Sequence, residues 1–137
     1  MNNISGAIGV AHMEELNATQ YNRLNKYIYN DLLLRESLKD VAKRSWSGAT
    51  SSWVATFLVD NPMELLAYLK CNGVHTSQMH VNNDIYTGFK GAIKPCELTG
   101  VKEFMDKHLC FPCGSWVTED DIKTMSDLVH EFYWSKE

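Results

Sequence analysis

The sequence is short of proline, has no excess of positive charge and contains no long apolar run. Only three of its 137 residues are proline and none precedes Pro62, so a long helix can occupy the N-terminal part. Thirteen Lys and Arg against 17 Asp and Glu give a formal net charge of −4 with the signs interspersed, which excludes a basic face for nucleic-acid binding. No stretch approaches the roughly 18 apolar residues of a membrane span. The N-terminus also lacks a signal-peptide pattern, so we expect a cytoplasmic chain.

The composition is that of one globular domain. A chain of 137 residues leaves little room for a second domain and is long enough to bury a core. Apolar residues make up 45% and charged residues 22%, close to the average for globular proteins. Intrinsic disorder is therefore not expected.

Four cysteines allow two interpretations. In a cytoplasmic chain Cys71, Cys96, Cys110 and Cys113 are most simply small apolar residues that stay reduced. The alternative is a zinc or dithiol site, because His108, Cys110 and Cys113 read H-x-C-x-x-C. Structural zinc sites draw their ligands from two such clusters and only one is present, so we predict no metal site.

The first third of the chain has the apolar spacing of a helix. Apolar residues form a stripe along one helix face, which is interrupted once and then continues. One long helix or two adjoining helices are therefore predicted to reach about residue 34. Such a long helix in a small protein usually needs a partner surface beyond its own domain. The stripe comprises Ile4, Ala7, Ile8, Ala11 and Leu16, and then Tyr21, Leu24, Ile28 and Leu32.

The rest of the chain alternates between strand and helix patterns. Strands are predicted at residues 53–59, 74–81 and 109–113. Asn61 and Pro62 are predicted to start a helix that ends at Asn72 and Gly73. Thr99 is expected to cap a short helix, and a capping box from Thr118 to Asp121 to open the last one. The predicted fold class is α+β, with a small, mainly antiparallel sheet that carries helices on one face.

Four segments share their order and spacing with one protein family. Residues 3–13 resemble the helix opening "N-x-x-AAIGLAQL", and residues 53–69 resemble the strand and helix that follow it. Residues 73–84 resemble "GI-x-(S/T)-x-x-VH-x-RND", and residues 109–120 resemble "IPCGWWVTxED". Together they resemble the C-terminal small domain of the DegT/DnrJ/EryC1/StrS family of pyridoxal-phosphate (PLP) dependent sugar aminotransferases.

The resemblance implies an activity that this chain does not complete alone. Family members transfer an amino group, usually from glutamate, to a keto group of a nucleotide-linked sugar, and they work as dimers. Their PLP-binding lysine and most of the phosphate cradle belong to a large domain for which 137 residues leave no room. We therefore expect residues 1–137 to form a single small domain that has no catalytic or cofactor-binding residues of its own, with PLP bound only in the complete enzyme.

The same resemblance assigns three substrate-binding residues. His80 matches a family histidine near the substrate, and Asn83 and Asp84 match the "ND" that follows it. The family arginine of this segment is Asn82 here, which puts a charge-assisted contact to phosphate in doubt. Without the resemblance, His80 would be interpreted as a structural histidine and residues 82–84 as a polar turn.

Two classes of function follow. The chain is either the C-terminal part of a sugar aminotransferase, as a fragment or a separately encoded piece, or a non-enzymatic module for dimerisation or sugar-nucleotide binding. In both cases we predict that the N-terminal helix makes the contact. As part of an aminotransferase it would contact the missing large domain, and as a separate module it would contact a second copy in a homodimer. The stripe on that helix should therefore not be fully covered within one chain.

Overall fold

The fold consists of a small sheet and four α-helices in the part of the chain that the computed structural model describes, residues 2–15, 42–44, 54–89, 98–114 and 116–134. Two short 3₁₀ helices, Asn83–Ile85 and Thr87–Phe89, lie between the second and third α-helices. The elements in chain order are α1 (Asn3–Glu15), β1 (Ala42–Arg44), β2 (Ala55–Val59), α2 (Pro62–Cys71), α3 (Thr99–Lys107), β3 (His108–Phe111) and α4 (Glu119–Trp134).

The sheet is antiparallel with the strand order β1-β2-β3. Ala55 pairs with Phe111 and Phe57 with Leu109, so the buried side chains of the two strands share one face. Helices α2 and α4 pack against each other, and their buried residues join this face in a single core. The predicted α+β class with a small antiparallel sheet is confirmed.

Helix α2 has the predicted bounds and the predicted N-cap residue, although Asn61 does not cap the helix through its side chain. Pro62 stands at its first turn, where the missing N–H costs nothing. Asn61 precedes the helix with a left-handed backbone (φ 53°) and makes no side-chain capping bond. At the other end Gly73 has φ +80°, the conformation that glycine adopts most readily.

Helix α4 begins with the predicted capping box. The Asp121 N–H donates to Thr118 Oγ1 at 3.2 Å, and the Thr118 N–H donates to Asp121 Oδ2 at 2.8 Å. Since two backbone N–H groups are satisfied reciprocally, the helix start is well defined. The inward face of α4 comprises Ile122, Met125, Val129 and Phe132, which are buried, whereas Leu128 is only partly buried against the core.

The strand predicted at residues 74–81 was wrong, because only Ser77 pairs, in an isolated bridge with Cys110. In this register the next hydrogen-bonded position on one side is Pro112, which has no N–H to donate. On the other side the His108 carbonyl accepts a bond from the Gln78 side chain. The ladder therefore stops after one residue pair.

Three further predictions meet the described structure only in part. Helix α1 ends at Glu15, and the expected continuation to about residue 34, like Trp53, lies outside the described residues. Helix α3 begins at Thr99 with Leu98 as its N-cap, so Thr99 does not cap it. Strand β1 was not predicted from the sequence.

Within the described part of the chain, no helix combines the length and apolar character needed to span a membrane.

Candidate substrate-binding site

The segment that carries the predicted site residues is attached to β3 on the side away from β2. The Ser77 N–H donates to the Cys110 carbonyl at 3.1 Å, and the Cys110 N–H returns a bond to Ser77 O at 2.8 Å. One residue further on, Gln78 Nε2 donates to the His108 carbonyl at 3.1 Å. Strand β3 therefore fixes the path of the chain just before His80.

His80 belongs to a cluster of three aromatic rings. Its imidazole is half-buried, with its centroid 5.5 Å from the Phe104 ring and 5.6 Å from the His108 ring. Phe104 and His108 are themselves stacked in parallel, 4.8 Å apart with only 5° between their planes. Because both rings belong to the α3–β3 junction, His80 lies against a platform made by two regular elements.

The His108 side chain is completely buried and has a single hydrogen bond. Its Nδ1 lies 3.1 Å from the carbonyl oxygen of Phe104, which can only accept, so Nδ1 carries the proton. The other ring nitrogen, Nε2, is buried and has no hydrogen-bond partner among the residues that the structure describes. This bond fixes the orientation of the ring that supports His80.

The cluster lies on the opposite side of the sheet from α2 and α4. Along β3, Leu109 and Phe111 enter the core shared with these helices, so His108 and Cys110 project to the other face. On that face Cys110 Sγ lies 3.4 Å from Thr56 Oγ1. Helix α3 covers part of it through Phe104.

Asn83 and Asp84 lie on the 3₁₀ helix that follows His80. Asn83 is exposed, and its carbonyl accepts from the Tyr86 N–H at 3.1 Å. Asp84 is half-buried, and its Oδ1 is enclosed without a hydrogen-bond partner in the described part of the chain. The three predicted residues thus share one short segment, in which His80 packs against β3 and Asp84 offers an unused acceptor.

Sequence reasoning missed the residues that support His80. Gln78 was predicted to lie in a strand, Phe104 was not identified as a site residue, and His108 was considered only as a possible zinc ligand. The contact between the last two could have been predicted from the sequence. Residues four apart lie on the same side of a helix, and His108 directly follows the last residue of α3. The contact of either ring with His80 depends on tertiary structure.

The alternative zinc or dithiol site is not assembled in the described structure. Cys113 lies in the core with Leu109 and Phe111, whereas His108 and Cys110 project to the other face. Burial raises the pKa of the Cys113 thiol, and nearby Cys110 adds to the effect, which disfavours the reactive thiolate. Among the described residues, no group of three or more His, Cys, Asp or Glu side chains could hold a metal ion.

Two of the four described helix starts, those of α2 and α4, do not fit the phosphate of PLP. Phosphate binds at helix N-termini that present converging N–H groups and a positive dipole end. The first turn of α4 carries Glu119, Asp120 and Asp121, and that of α2 carries Glu64 and begins with Pro62, which has no N–H. Acidic side chains at these positions repel a phosphate.

The described lysines do not fit the covalent role either. A lysine that bonds to PLP reacts as the free amine, which desolvation favours. All four lysines with described side chains are exposed, and Lys102 and Lys107 form ion pairs with Asp106 and Asp60. None of these four side chains is therefore the desolvated amine that a covalent bond to PLP favours. These four are Lys70, Lys102, Lys107 and Lys123.

Comparison with solved structures shows the fold of sugar aminotransferases over part of their length. The sugar aminotransferase CalS13 from Micromonospora echinospora matches with a TM-score of 0.76 and 22% identity, over 96% of this chain and 35% of that one. A DegT DnrJ EryC1 StrS aminotransferase from Brucella abortus matches with a TM-score of 0.73 and 20% identity, over 91% and 33%. S. venezuelae DesV matches with a TM-score of 0.70 and 18% identity, over 93% and 34%. The chain thus spans about a third of the length of these structures.

The family is established by sequence. A search of curated proteins gave no match to the chain. The model of the DegT/DnrJ/EryC1/StrS aminotransferase family, in contrast, matches residues 1–130, nearly the whole sequence. The chain therefore belongs to the DegT/DnrJ/EryC1/StrS aminotransferase family.

Proposed function

We propose that the chain is the C-terminal small domain of a PLP-dependent sugar aminotransferase and is not catalytically complete alone. The observation that carries the proposal is the family match over residues 1–130 in a chain that spans a third of the related solved structures. The acidic starts of α2 and α4 and the exposed lysines described above support it, because neither feature suits PLP. In the complete enzyme PLP acts as an electron sink for amino transfer.

Helix α1 supports a missing partner surface. Ile4 and Ile8 lie on one face and are 71% and 53% exposed, while Val10 and Met13 lie on the opposite face and are 60% and 69% exposed. A helix that is apolar all round is normally buried on all sides. The exposure of the described members of the stripe supports the proposal, and a large domain around α1 would bury both faces. The described members are Ile4, Ala7, Ile8 and Ala11, all exposed.

We also propose that His80, Asn83 and Asp84 contact the sugar nucleotide in the complete enzyme. Their groups suit sugar hydroxyls: an imidazole, an exposed amide, and a carboxylate with an oxygen that has no partner among the described residues. Asn82, in place of the family arginine, offers no bidentate contact to a diphosphate. We therefore expect this segment to bind the sugar rather than the phosphates.

The decisive experiment asks whether the chain binds PLP and transfers amino groups without help. The chain is incubated with PLP, reduced with borohydride and mapped by peptide mass spectrometry, beside an amino-transfer assay with glutamate and a keto-sugar nucleotide. We expect scattered, substoichiometric lysine labelling and no turnover. One stoichiometrically labelled lysine together with turnover would contradict the proposal. Turnover that begins only when a family large domain is added would support it.

The site is tested separately by substrate kinetics. In the enzyme reconstituted with a large domain, Asp84→Asn and His80→Gln should raise the KM for the sugar nucleotide. The KM for glutamate should stay unchanged, since these residues are proposed to contact the sugar alone. His75→Gln is the matched control because His75 is exposed on the same segment. Equal effects on both substrates would contradict the assignment.

A further inference from the structure

The position of His80 is determined by contacts outside its own segment. Beyond the Ser77–Cys110 bridge, on the side of His80, no regular ladder continues in the described structure, because the His108 carbonyl bonds to the Gln78 side chain. The Gln78 amide is therefore the last described tether before His80, two residues away. Without it, the chain would be free to leave β3 at Ser77.

The second contact is the ring platform. The His108 ring is fully buried, bonded through Nδ1 to Phe104 O and stacked in parallel on the Phe104 ring. Its position is thus set by the strand, by the helix carbonyl and by the stack together. His80 is inclined to both rings by about 50°, at centroid distances of 5.5 and 5.6 Å, so one side of its imidazole is covered. The half-exposed remainder is the part that can meet a ligand.

We propose that Gln78 and His108 are positioning residues, which hold the His80 imidazole in the orientation that meets the sugar of a nucleotide-linked substrate. Gln78 fixes the backbone ahead of His80, and His108 provides the ring on which His80 lies. The inference rests on the proposed substrate role of His80. It adds two residues that contact neither substrate nor cofactor and act only through His80.

The test combines NMR of the histidine rings of the chain with ligand binding to the enzyme reconstituted with a family large domain. The His80 ring signals are assigned by their loss in His80→Gln, and TDP-glucose serves as the probe for binding. Gln78→Leu keeps the side-chain volume but removes the amide donor, and His108→Leu removes the supporting ring. In both variants the His80 ring signals should move towards those of the exposed His75.

Controls separate positioning from general damage to the fold. The methyl signals of Ile122 and Val129, in the core on the other side of the sheet, should stay in place in Gln78→Leu. If His108→Leu does not fold, Gln78→Leu alone still tests the proposal. The affinity for TDP-glucose should fall about tenfold in Gln78→Leu, the upper range for loss of one hydrogen bond, and should not change in His75→Gln.

The outcomes distinguish this inference from the proposed function. Unchanged His80 signals in both variants would overturn positioning, whatever the binding data show. Shifted His80 signals with wild-type affinity would also overturn it, since the orientation would then not matter to the ligand. If the enzyme reconstituted from the wild-type chain and a family large domain bound no TDP-glucose, while the His80 signals still shifted in the variants, the substrate role would be refuted and the positioning supported.

Discussion

The phenol of Tyr133 donates a hydrogen bond to the backbone carbonyl of Asp60, which joins the end of α4 to the turn between β2 and α2. The two residues are 73 positions apart, so the bond closes a long loop of the chain. Tyr133→Phe leaves the carbonyl without this donor and should lower the free energy of unfolding by about 1 kcal/mol. Denaturant unfolding measures the loss. Tyr86→Phe, at an exposed position, should cause none.

The same phenol should make the chain less stable in alkali. Burial raises the pKa of Tyr133, and the charges of Asp60 and Glu64 add to the effect. Above about pH 10 the unfolded chain loses the phenolic proton while the folded chain keeps it, so stability falls as pH rises. The stability advantage of wild type over Tyr133→Phe should therefore shrink between about pH 8 and about pH 10.5. Tyr68, whose pKa is also raised, is present in both proteins and cancels.

The sequence predicts those elements whose ends are marked by local residues better than those whose pairing depends on a distant part of the chain. Helices α2 and α4 have local signals at their ends, namely Pro62, Gly73 and the pair Thr118 and Asp121, and both were predicted correctly. The strand expected at residues 74–81 failed because its pairing was decided by the partner strand. Pro112, 35 residues after Ser77 in the chain, removes the donor that the ladder required.

The candidate site divides in the same way. His80, Asn83 and Asp84 could be named from the resemblance alone, because their motif is continuous in sequence. The Phe104–His108 stack and the Gln78 tether are tertiary contacts, which require the register of β3 against its neighbours. No local pattern in residues 73–84 indicates which ring supports His80.

The capping box of α4 should give the chain a defined sensitivity to acid. The Thr118 hydroxyl and backbone N–H both bond to Asp121 and hold the pKa of its carboxyl below the ordinary value. A depressed pKa contributes stability that is present above the unfolded value of about 4 and is lost as pH falls through the folded value. Asp121→Asn should therefore remove part of the acid dependence of unfolding, measured from about pH 6 to about pH 3.

A double-mutant cycle identifies the source of that effect. Thr118→Ala should cost about 1 kcal/mol at neutral pH, and Asp121→Asn should add little once Thr118 is gone. Thr124→Ala is the control on the same helix, because its hydroxyl bonds to the Asp120 carbonyl and not to Asp121. Additive effects of the two substitutions would show that the box does not act as a unit.

Helix α1 should become protected when a large domain is present. If its exposed apolar faces are buried in the complete enzyme, adding a family large domain should raise the thermal unfolding temperature of the chain. Ile8→Glu places a charge in that contact and should abolish the increase. His12→Gln, an exposed polar change on the same helix, should preserve it. An equal increase for Ile8→Glu would contradict the role of α1, and stable self-association of the wild-type chain alone would favour a homodimer contact.

Two glycines should respond in opposite directions to the same substitution. Gly73 ends α2 with φ +80°, its N–H donates to Lys70 O at 3.2 Å, and the following Val74 N–H donates to Leu69 O at 2.9 Å. This is the Schellman arrangement, which needs the left-handed backbone, so Gly73→Ala should destabilise the chain by about 1 kcal/mol.

Gly6 lies inside α1 with helical backbone, and a Cβ atom there would meet nothing within 4 Å. Alanine loses less conformational entropy than glycine in a helix, so Gly6→Ala should increase the helical signal in circular dichroism and stabilise α1 by about 0.5–1 kcal/mol. Steric space does not explain the opposite effects expected at Gly6 and Gly73, because a Cβ at Gly73 would also meet nothing within 4 Å. Effects of the same sign at both positions would show that backbone conformation is not what separates the two glycines.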